Sequence, residues 1–317
     1  MNEGSVDSRQ LTPQASARGA LLGAACGDAV GAPFEGAATV SASHLMSWTS
    51  SDAPLRYTDD TAMTLVLAHH LLSTGGIVDE TKLVREFARE WHSDTTRGYG
   101  AAPPRIFRAV LAGVHWATVA SSAFGGTGSW GNGGAMRVAP VALLPHPIDQ
   151  RVSLARRQAA VTHAHDLAQD GAALQCAAIA HAAASARKPL EAAVFLSTIS
   201  THLATPEFLD AIAILGELLS SAATPTQIAA CLGTDATALG SVPTAIAVFL
   251  QAPDDLEAAL ASAVLPGGDT DTIASMVGAL AGARLGEDGI PKRWVRRLER
   301  HEEITELADQ LAALPAP

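Results

Sequence analysis

The sequence predicts an all-α protein: a compact, single-domain, orthogonal bundle of about a dozen or more helices joined by short connections. Three observations carry this expectation. Aromatic residues make up only 4% of the 317 residues while Ala and Leu dominate, which suits helix packed on helix better than sheet. Apolar residues recur at helical spacing along almost the whole chain. There is no persuasive alternating strand pattern and no repeat of fixed period. With 48% hydrophobic residues the chain can bury one large core, and although its length permits two domains, no linker divides it.

The elements follow in order. Residues 1–16 begin with the polar "MNEGSVDSRQLTPQ" and are expected to be a disordered tail, leaving 17–317 as one domain. "GALLGAACGDAVGA" (Gly19–Ala32) has helical spacing and ends in a Gly, Pro-containing turn. "DDTAMTLVLAHHLLSTGG" (Asp59–Gly76) is a helix with Thr58 or Asp59 as N-cap and a Gly pair as stop. Asp79–Asp94 is amphipathic, with Leu83, Phe87 and Trp91 on one face. Another helix is expected over 105–120, after Pro103 and Pro104. The Gly-rich run Phe124–Gly134 then breaks the pattern. Further helical segments are expected near 149–163, 166–187, 189–203, 206–222, 241–251, 254–264, 271–285 and 291–313.

Charge and cysteine usage narrow the partners. A net charge of −11 disfavours general attraction to nucleic acid or anionic membranes, so an anionic substrate needs a local positive feature. Cys26, Cys176 and Cys231 are distant and odd in number, with neither a disulfide framework nor zinc spacing, which fits a reducing cytoplasm. No uninterrupted apolar run reaches transmembrane length, so a soluble, cytoplasmic protein is expected.

Two acidic segments share one design. "YTDDT" places Asp59 and Asp60 between Thr58 and Thr61 at a helix start, where a single Asp would suffice as a cap. "GGDTDT" places Asp269 and Asp271 beside Thr270 and Thr272 at another. If the two starts meet, four carboxylates crowd together and need a cation. Asp and Thr oxygens suit Mg²⁺ or Mn²⁺ rather than zinc, and four carboxylates are enough for two divalent ions.

Three other segments stand out. In "GDAVGAPFEG", Asp28 reads as a buried, hydrogen-bonded helix residue and Glu35 as a loop carboxylate. In "GTGSWGNGGAMR", glycines let the backbone approach anionic oxygens, and Phe124 and Trp130 can stack on a base. That run is neither a Walker loop nor a Rossmann fingerprint, since GxxxxGK[ST] is absent and no strand precedes it. In "THAHD", His163 and His165 lie two apart and do not share a helix face, which argues against a two-histidine metal site. The neighbouring pair His69–His70 divides between packing and surface.

Together, "GALLGAACGDAVGAPFE", "YTDDTAM", "GSWGNGGAMRVAP", "THAHDLAQDGA" and "PGGDTDTIASMVGALAGA" resemble the successive signatures of the ADP-ribosylglycohydrolase family, in family order over about 19–286. The resemblance implies an all-α fold with two Mg²⁺ or Mn²⁺ ions at the base of a cleft. Carried over, the ligands are Thr58, Asp59, Asp60, Asp269, Asp271 and Thr272. Glu35 matches a glutamate proposed to assist catalysis, with Asp60 and Asp271 as further candidate catalytic carboxylates. Gly128, Ser129, Trp130, Gly131 and Asn132 match the loop around the diphosphate, Phe124 and Trp130 the aromatics around the adenosine, and His163 a histidine near the phosphates. Trp130 stands where some relatives have tyrosine, so stacking survives and a phenolic hydrogen bond does not.

The implied reaction is hydrolysis at the anomeric carbon of the distal ribose of ADP-ribose, with the metals orienting the ribose and a carboxylate taking a proton from water. Protein arginine is the first expected acceptor; serine, poly(ADP-ribose) and O-acetyl-ADP-ribose are alternatives, read by segments such as Thr39–Leu55 and Arg97–Pro104. A non-catalytic ADP-ribose-binding relative and a two-metal phosphohydrolase are the competing classes.

Overall fold

Four glycines spaced by four residues decide how this chain is assembled. Gly19, Gly23, Gly27 and Gly31 lie on one face of the first helix, α1 (Pro13–Gly31), and press directly on the backbone of a helix some 250 residues later, α16 (Thr270–Leu285). A Cβ on Gly23 would lie 2.2 Å from the Gly278 carbonyl oxygen, and one on Gly27 would lie 2.1 Å from that of Ala274. The approach is reciprocal, since a Cβ on Gly278 would lie 2.0 Å from the Gly23 carbonyl oxygen. The two helices run antiparallel, so the end of α1 meets the start of α16, where the Thr270 hydroxyl donates to the Gly31 carbonyl oxygen (2.9 Å). Ordinary helix pairs stand 8–10 Å apart because side chains separate them; at these glycines the two helices meet backbone to backbone.

The computed structural model describes residues 11–316. Between α1 and α16 the chain forms α2 (Ala42–Ser50), α3 (Asp59–Ser73), α4 (Glu80–Ser93), α5 (Pro103–Leu111) and α6 (Trp116–Gly126). Two short helices follow, α7 (Gly133–Met136) and α8 (Ala139–Ala142), then α9 (Ile148–Ala160), α10 (Asp166–Ala184) and α11 (Ala192–Ser200). The rest are α12 (Pro206–Ser220), α13 (Pro225–Leu232), α14 (Ala238–Gln251), α15 (Leu256–Val264), α17 (Lys292–Arg297) and α18 (His301–Ala312). Among the described residues the architecture is all-α, with two isolated β-bridges and no strand. Helix α16 is the axis of the core: Thr270–Arg284 are all buried, with α1, α10, α14 and α15 packed around them.

Several boundaries differ from expectation. The expected tail boundary at 16 falls inside α1, which begins at Pro13 behind the N-cap Thr12; residues 1–10 of that tail lie outside the described residues. Thr39–Leu55, expected only as a segment that reads the acceptor and given no helix, contains α2, capped by Ser41. The helix expected over 105–120 is two, α5 and α6, and α6 is kinked at Ala123–Gly125, where Phe124 adopts φ 50°. Helix α13 and the first turn of α14 were not anticipated. The helix expected over 291–313 breaks at Leu298–Arg300 because backbone there pairs with Leu55: Leu55 N donates to Arg297 O (2.9 Å) and Glu299 N to Leu55 O (3.1 Å).

Candidate active site

Where α1 ends and α16 begins, α3 also begins, and Asp28 ties it there. Its fully buried carboxylate accepts from Thr58 N (2.9 Å), Thr61 N (3.0 Å) and the Thr61 hydroxyl (2.6 Å). These bonds satisfy free N–H groups of the first turn of α3 from another element, so the turn carrying Asp59 and Asp60 is fixed to α1. Burial still outweighs them and pushes the Asp28 carboxyl up to about 6. The entry to α3 is held as well: Asp59 N donates to Arg97 O (2.7 Å), and Glu299 accepts from Tyr57 N (2.9 Å) and from Arg97.

The second acidic segment is placed by backbone pairing. Gly36 N donates to Gly268 O and Gly268 N to Ala37 O, both at 2.9 Å, which sets the Glu35 turn against the start of α16. Gly267 and Gly268 have φ of 81° and 86°, and a side chain on either would strike neighbouring backbone at 2.3 and 2.2 Å. Asp269 N donates to Thr234 O (2.7 Å). Glu35, Asp269 and Asp271 thereby bring ligand oxygens within 4.8 Å of one another. Across the gap, the Thr272 hydroxyl donates to Asp60 Oδ1 (3.3 Å), linking the two acidic segments.

Electrostatically the cluster is strained. Asp60 Oδ2 and Asp271 Oδ1 are buried without a hydrogen-bond partner. Burial, aided by the neighbouring carboxylates, pushes Asp59 up to about 8, Asp271 up to about 9, and Asp60 well above its ordinary range. Burial and the nearby Asp269 also raise Glu35. Buried carboxylates that resist ionisation and leave oxygens unpartnered are the kind of donor set that hard cations complete.

These residues floor a cavity of about 370 Å³. Of the residues expected at the site, Glu35, Asp59, Asp60, Phe124, Ser129, Trp130, Gly131, Asn132, His163, Asp269, Asp271 and Thr272 all line it. Two do not. Thr58 is half-buried and caps α3, and Gly128 sits behind the wall with φ 77°, where a Cβ would lie 2.8 Å from His165 N. Asn132, which lines the cavity, also braces an acidic residue: its amide nitrogen donates to Asp269 (2.6 Å) and Ser241 (3.1 Å).

The opposite wall is aromatic and glycine-rich. The Phe124 and Trp130 rings lie 5.2 Å apart, both exposed at the mouth, and His165 meets Trp130 edge-on at 5.8 Å. The loop is pinned by Ala238 N to Trp130 O and Asn132 N to Ala236 O, both 3.0 Å. His163 lines the cavity and His165 caps α10, accepting from Leu167 N (3.1 Å), so the two histidines part company as their spacing requires. His70 is buried between Glu86 (2.6 Å) and Asp79 N (3.0 Å), whereas His69 is exposed. The segment Arg97–Pro104, expected to read the acceptor, contributes Gly98, Gly100, Ala101, Ala102 and Pro103 to the cavity wall, whereas Asp235–Thr237, which completes it, was missed because a lone Asp in a short turn carries no pattern that would mark it.

The chain matches the family model "ADP-ribosylglycohydrolase" over residues 9–317. It is 36% identical to ADP-ribosylhydrolase ARH3 of Homo sapiens, covering 93% of this chain and 92% of that one. It is 34% identical to ARH3 of Gallus gallus, covering 97% and 95%. With the ADP-ribosyl-[dinitrogen reductase] glycohydrolase of Rhodospirillum rubrum it shares 29% identity over 94% of this chain and 96% of that one. A solved structure titled ADP-ribosylglycohydrolase-related protein complex superposes with a TM-score of 0.65 at 26% identity, covering 95% of this chain and 98% of that one. Family model, relatives and fold thus converge with the geometry of the cleft: the chain belongs to the ADP-ribosylglycohydrolase family and is a hydrolase of glycosidic bonds.

Proposed function

We propose that this protein is an ADP-ribosyl-acceptor hydrolase that binds two divalent ions, Mg²⁺ or Mn²⁺, and cleaves the bond between the distal ribose of ADP-ribose and its acceptor. The observation that carries the reading is the meeting of three acidic segments, 28–35, 58–61 and 269–272, on the floor of one cavity with an aromatic and glycine wall. The orphaned oxygens of Asp60 and Asp271 fit hard cations, with Thr58, Asp59, Asp60, Asp269, Asp271 and Thr272 as the ligand set. When bound, such ions supply positive charge for the ribose hydroxyls and for water.

The chain's own groups divide the remaining work. Phe124 and Trp130 hold the adenosine end at the mouth, and the Ser129–Gly131 backbone with His163 faces the diphosphate. That arrangement directs the distal ribose to the acidic floor. Glu35 stands at the rim of the floor and takes the proton of the attacking water; its raised proton affinity, set by burial and Asp269, suits that task. Asp60 and Asp271 are the alternative bases.

Protein arginine is the first acceptor to test. Six carboxylates line the cavity (Glu35, Asp59, Asp60, Asp235, Asp269 and Asp271), and two divalent ions neutralise four, leaving charge that favours a cationic guanidinium. The second reading is serine-linked, poly- or O-acetyl-ADP-ribose; the identities, 36% with an ADP-ribosylhydrolase against 29% with a glycohydrolase of ADP-ribosylated dinitrogen reductase, weigh only against dinitrogen reductase as the target. Chromatography of products from arginine-, serine- and acetyl-linked substrates, with Mg²⁺ or with chelator, decides among them. Free ADP-ribose is the expected product. AMP would replace the reading with phosphoanhydride cleavage, and binding without any product would make the chain a reader of ADP-ribose.

A further inference from the structure

Behind the glycine wall lies a buried cation that is hydrogen-bonded to no carboxylate among the described residues, with Asp59 acting on it only through its charge. Arg137 is fully buried, yet none of its bonds reaches a carboxylate. Its Nε donates to Gln158 Oε1 (2.8 Å), and its Nη2 to Gln158 O (2.7 Å) and the Thr162 hydroxyl oxygen (2.8 Å). Its Nη1 approaches Met63 Sδ at 3.9 Å, and the guanidinium lies 4.6 Å over the Phe87 ring. Gln158 is oriented in turn by donating to Gly134 O (2.7 Å) and Ala155 O (3.1 Å), so its oxygen faces the arginine. A buried charge held this rigidly under a binding cavity, without a carboxylate bonded to it, calls for a task.

The path from it into the cavity is short. Thr162 Oγ1, which accepts from Arg137, also lies 2.8 Å from His163 Nδ1. Thr162 is fully buried, and His163 Nδ1 is the acceptor within reach of its hydroxyl proton. If Nδ1 carried a proton, Oγ1 would accept from both neighbours and its own proton would be stranded. The hydroxyl therefore donates to Nδ1, and the imidazole proton sits on Nε2. Burial, with the charge of Arg137 behind it, also pushes His163 down to about 3, so the ring is neutral. The ring cannot turn away: it lies against Gly131 and Gly133, where added Cβ atoms would stand 3.2 and 2.4 Å from it. Its Nε2 makes no hydrogen bond among the described residues, and the residue lines the cavity.

We propose that Arg137, acting through the Thr162 hydroxyl, is a positioning residue that holds His163 as its Nε2–H tautomer and presents one fixed, uncharged donor to an anionic phosphate oxygen in the cavity. This rests on the reading of the cleft as a site for ADP-ribose.

The test uses the full chain with Mg²⁺ present. Long-range ¹H–¹⁵N spectra of histidine-labelled protein, with the His163 signals assigned by comparison with His163→Gln, should show Nε2 protonated and Nδ1 bare. Thr162→Val should lose that preference and weaken ADP-ribose binding about tenfold by calorimetry, with KM rising more than kcat falls. Thr162→Ser, which restores the hydroxyl, should keep both tautomer and affinity. A wild-type His163 protonated on Nδ1 overturns the proposal even if Thr162→Val fails to fold. So does a folded Thr162→Val with unchanged tautomer and affinity. Wild-type protein that shows the Nε2–H tautomer but no ADP-ribose binding would instead sink the reading of the cleft.

Discussion

Asp28 Oδ2 accepts the Thr61 hydroxyl at 2.6 Å, and through this contact the first helix holds the turn that carries two of the acidic residues. Asp28 bonds to the acidic centre through that turn, and its charge adds to the crowding felt by Asp59, Asp60 and Asp271. Asp28→Asn replaces one acceptor oxygen with a donor facing N–H groups. The expected result is a loss of about 1–3 kcal/mol in stability and weakened Mg²⁺ binding, read by thermal melts and a Mg²⁺ titration. Unchanged Mg²⁺ affinity would mean that the turn holds its shape without Asp28.

The α1–α16 contact predicts a steep penalty for one methyl group. Gly27→Ala puts a Cβ 2.1 Å from the Ala274 carbonyl oxygen, and backbone inside a buried helix pair cannot step aside cheaply. A loss of about 3 kcal/mol or more is expected in urea unfolding, with Mg²⁺ binding impaired in parallel. Gly100→Ala is the control, since open space surrounds that position, and its stability should stay within about 0.5 kcal/mol of wild type.

The crowded carboxylates make metal-free stability depend on pH in a defined direction. Asp59 and Asp271 bind protons up to about pH 8 and 9 in the folded chain, against about 4 when unfolded. Between those limits the folded state holds more protons than the unfolded one, so stability falls as pH rises. With chelator, the melting temperature should drop from pH 5 to pH 9; with Mg²⁺ or Mn²⁺ the drop should shrink. Parallel curves with and without metal would separate these carboxylates from any ion.

Trp130 is 39% exposed and Phe124 55% exposed, unusual for large apolar rings unless they wait for a partner. Trp130→Ala should weaken ADP-ribose binding about tenfold, because base–aromatic stacking contributes about 1–3 kcal/mol. Trp130→Tyr should recover most of it. Stability should hardly move, and calorimetry on both variants checks the pair.

How much of this was legible before the fold was known depends on how local the cause is. Helix starts such as Thr58 and the stop at Gly75–Gly76 follow from neighbouring residues, and so could be read directly. The likeness of "TDDT" to "GGDTDT" suggested one site, but what joins them is the Gly19–Gly31 stripe, whose partner lies at the far end of the chain. The break at Leu298–Arg300 exists because Leu55 pairs with it, and nothing near 298 announces that. Asp28 was read correctly as buried and bonded; that its bonds go to Thr58 and Thr61 is a tertiary fact. Arg137 and Thr162 stood inside recognised motifs, yet their joint hold on His163 needed coordinates.

The backbone-to-backbone seam between α1 and α16 also bears on how the molecule comes into being. The first helix offers little except small residues and a glycine stripe, and the surface it must meet is made some 250 residues later. During synthesis α1 therefore waits, its apolar face uncovered, until nearly the whole chain has emerged. The acidic floor is assembled by that same late closure, so the site exists only in the completed fold.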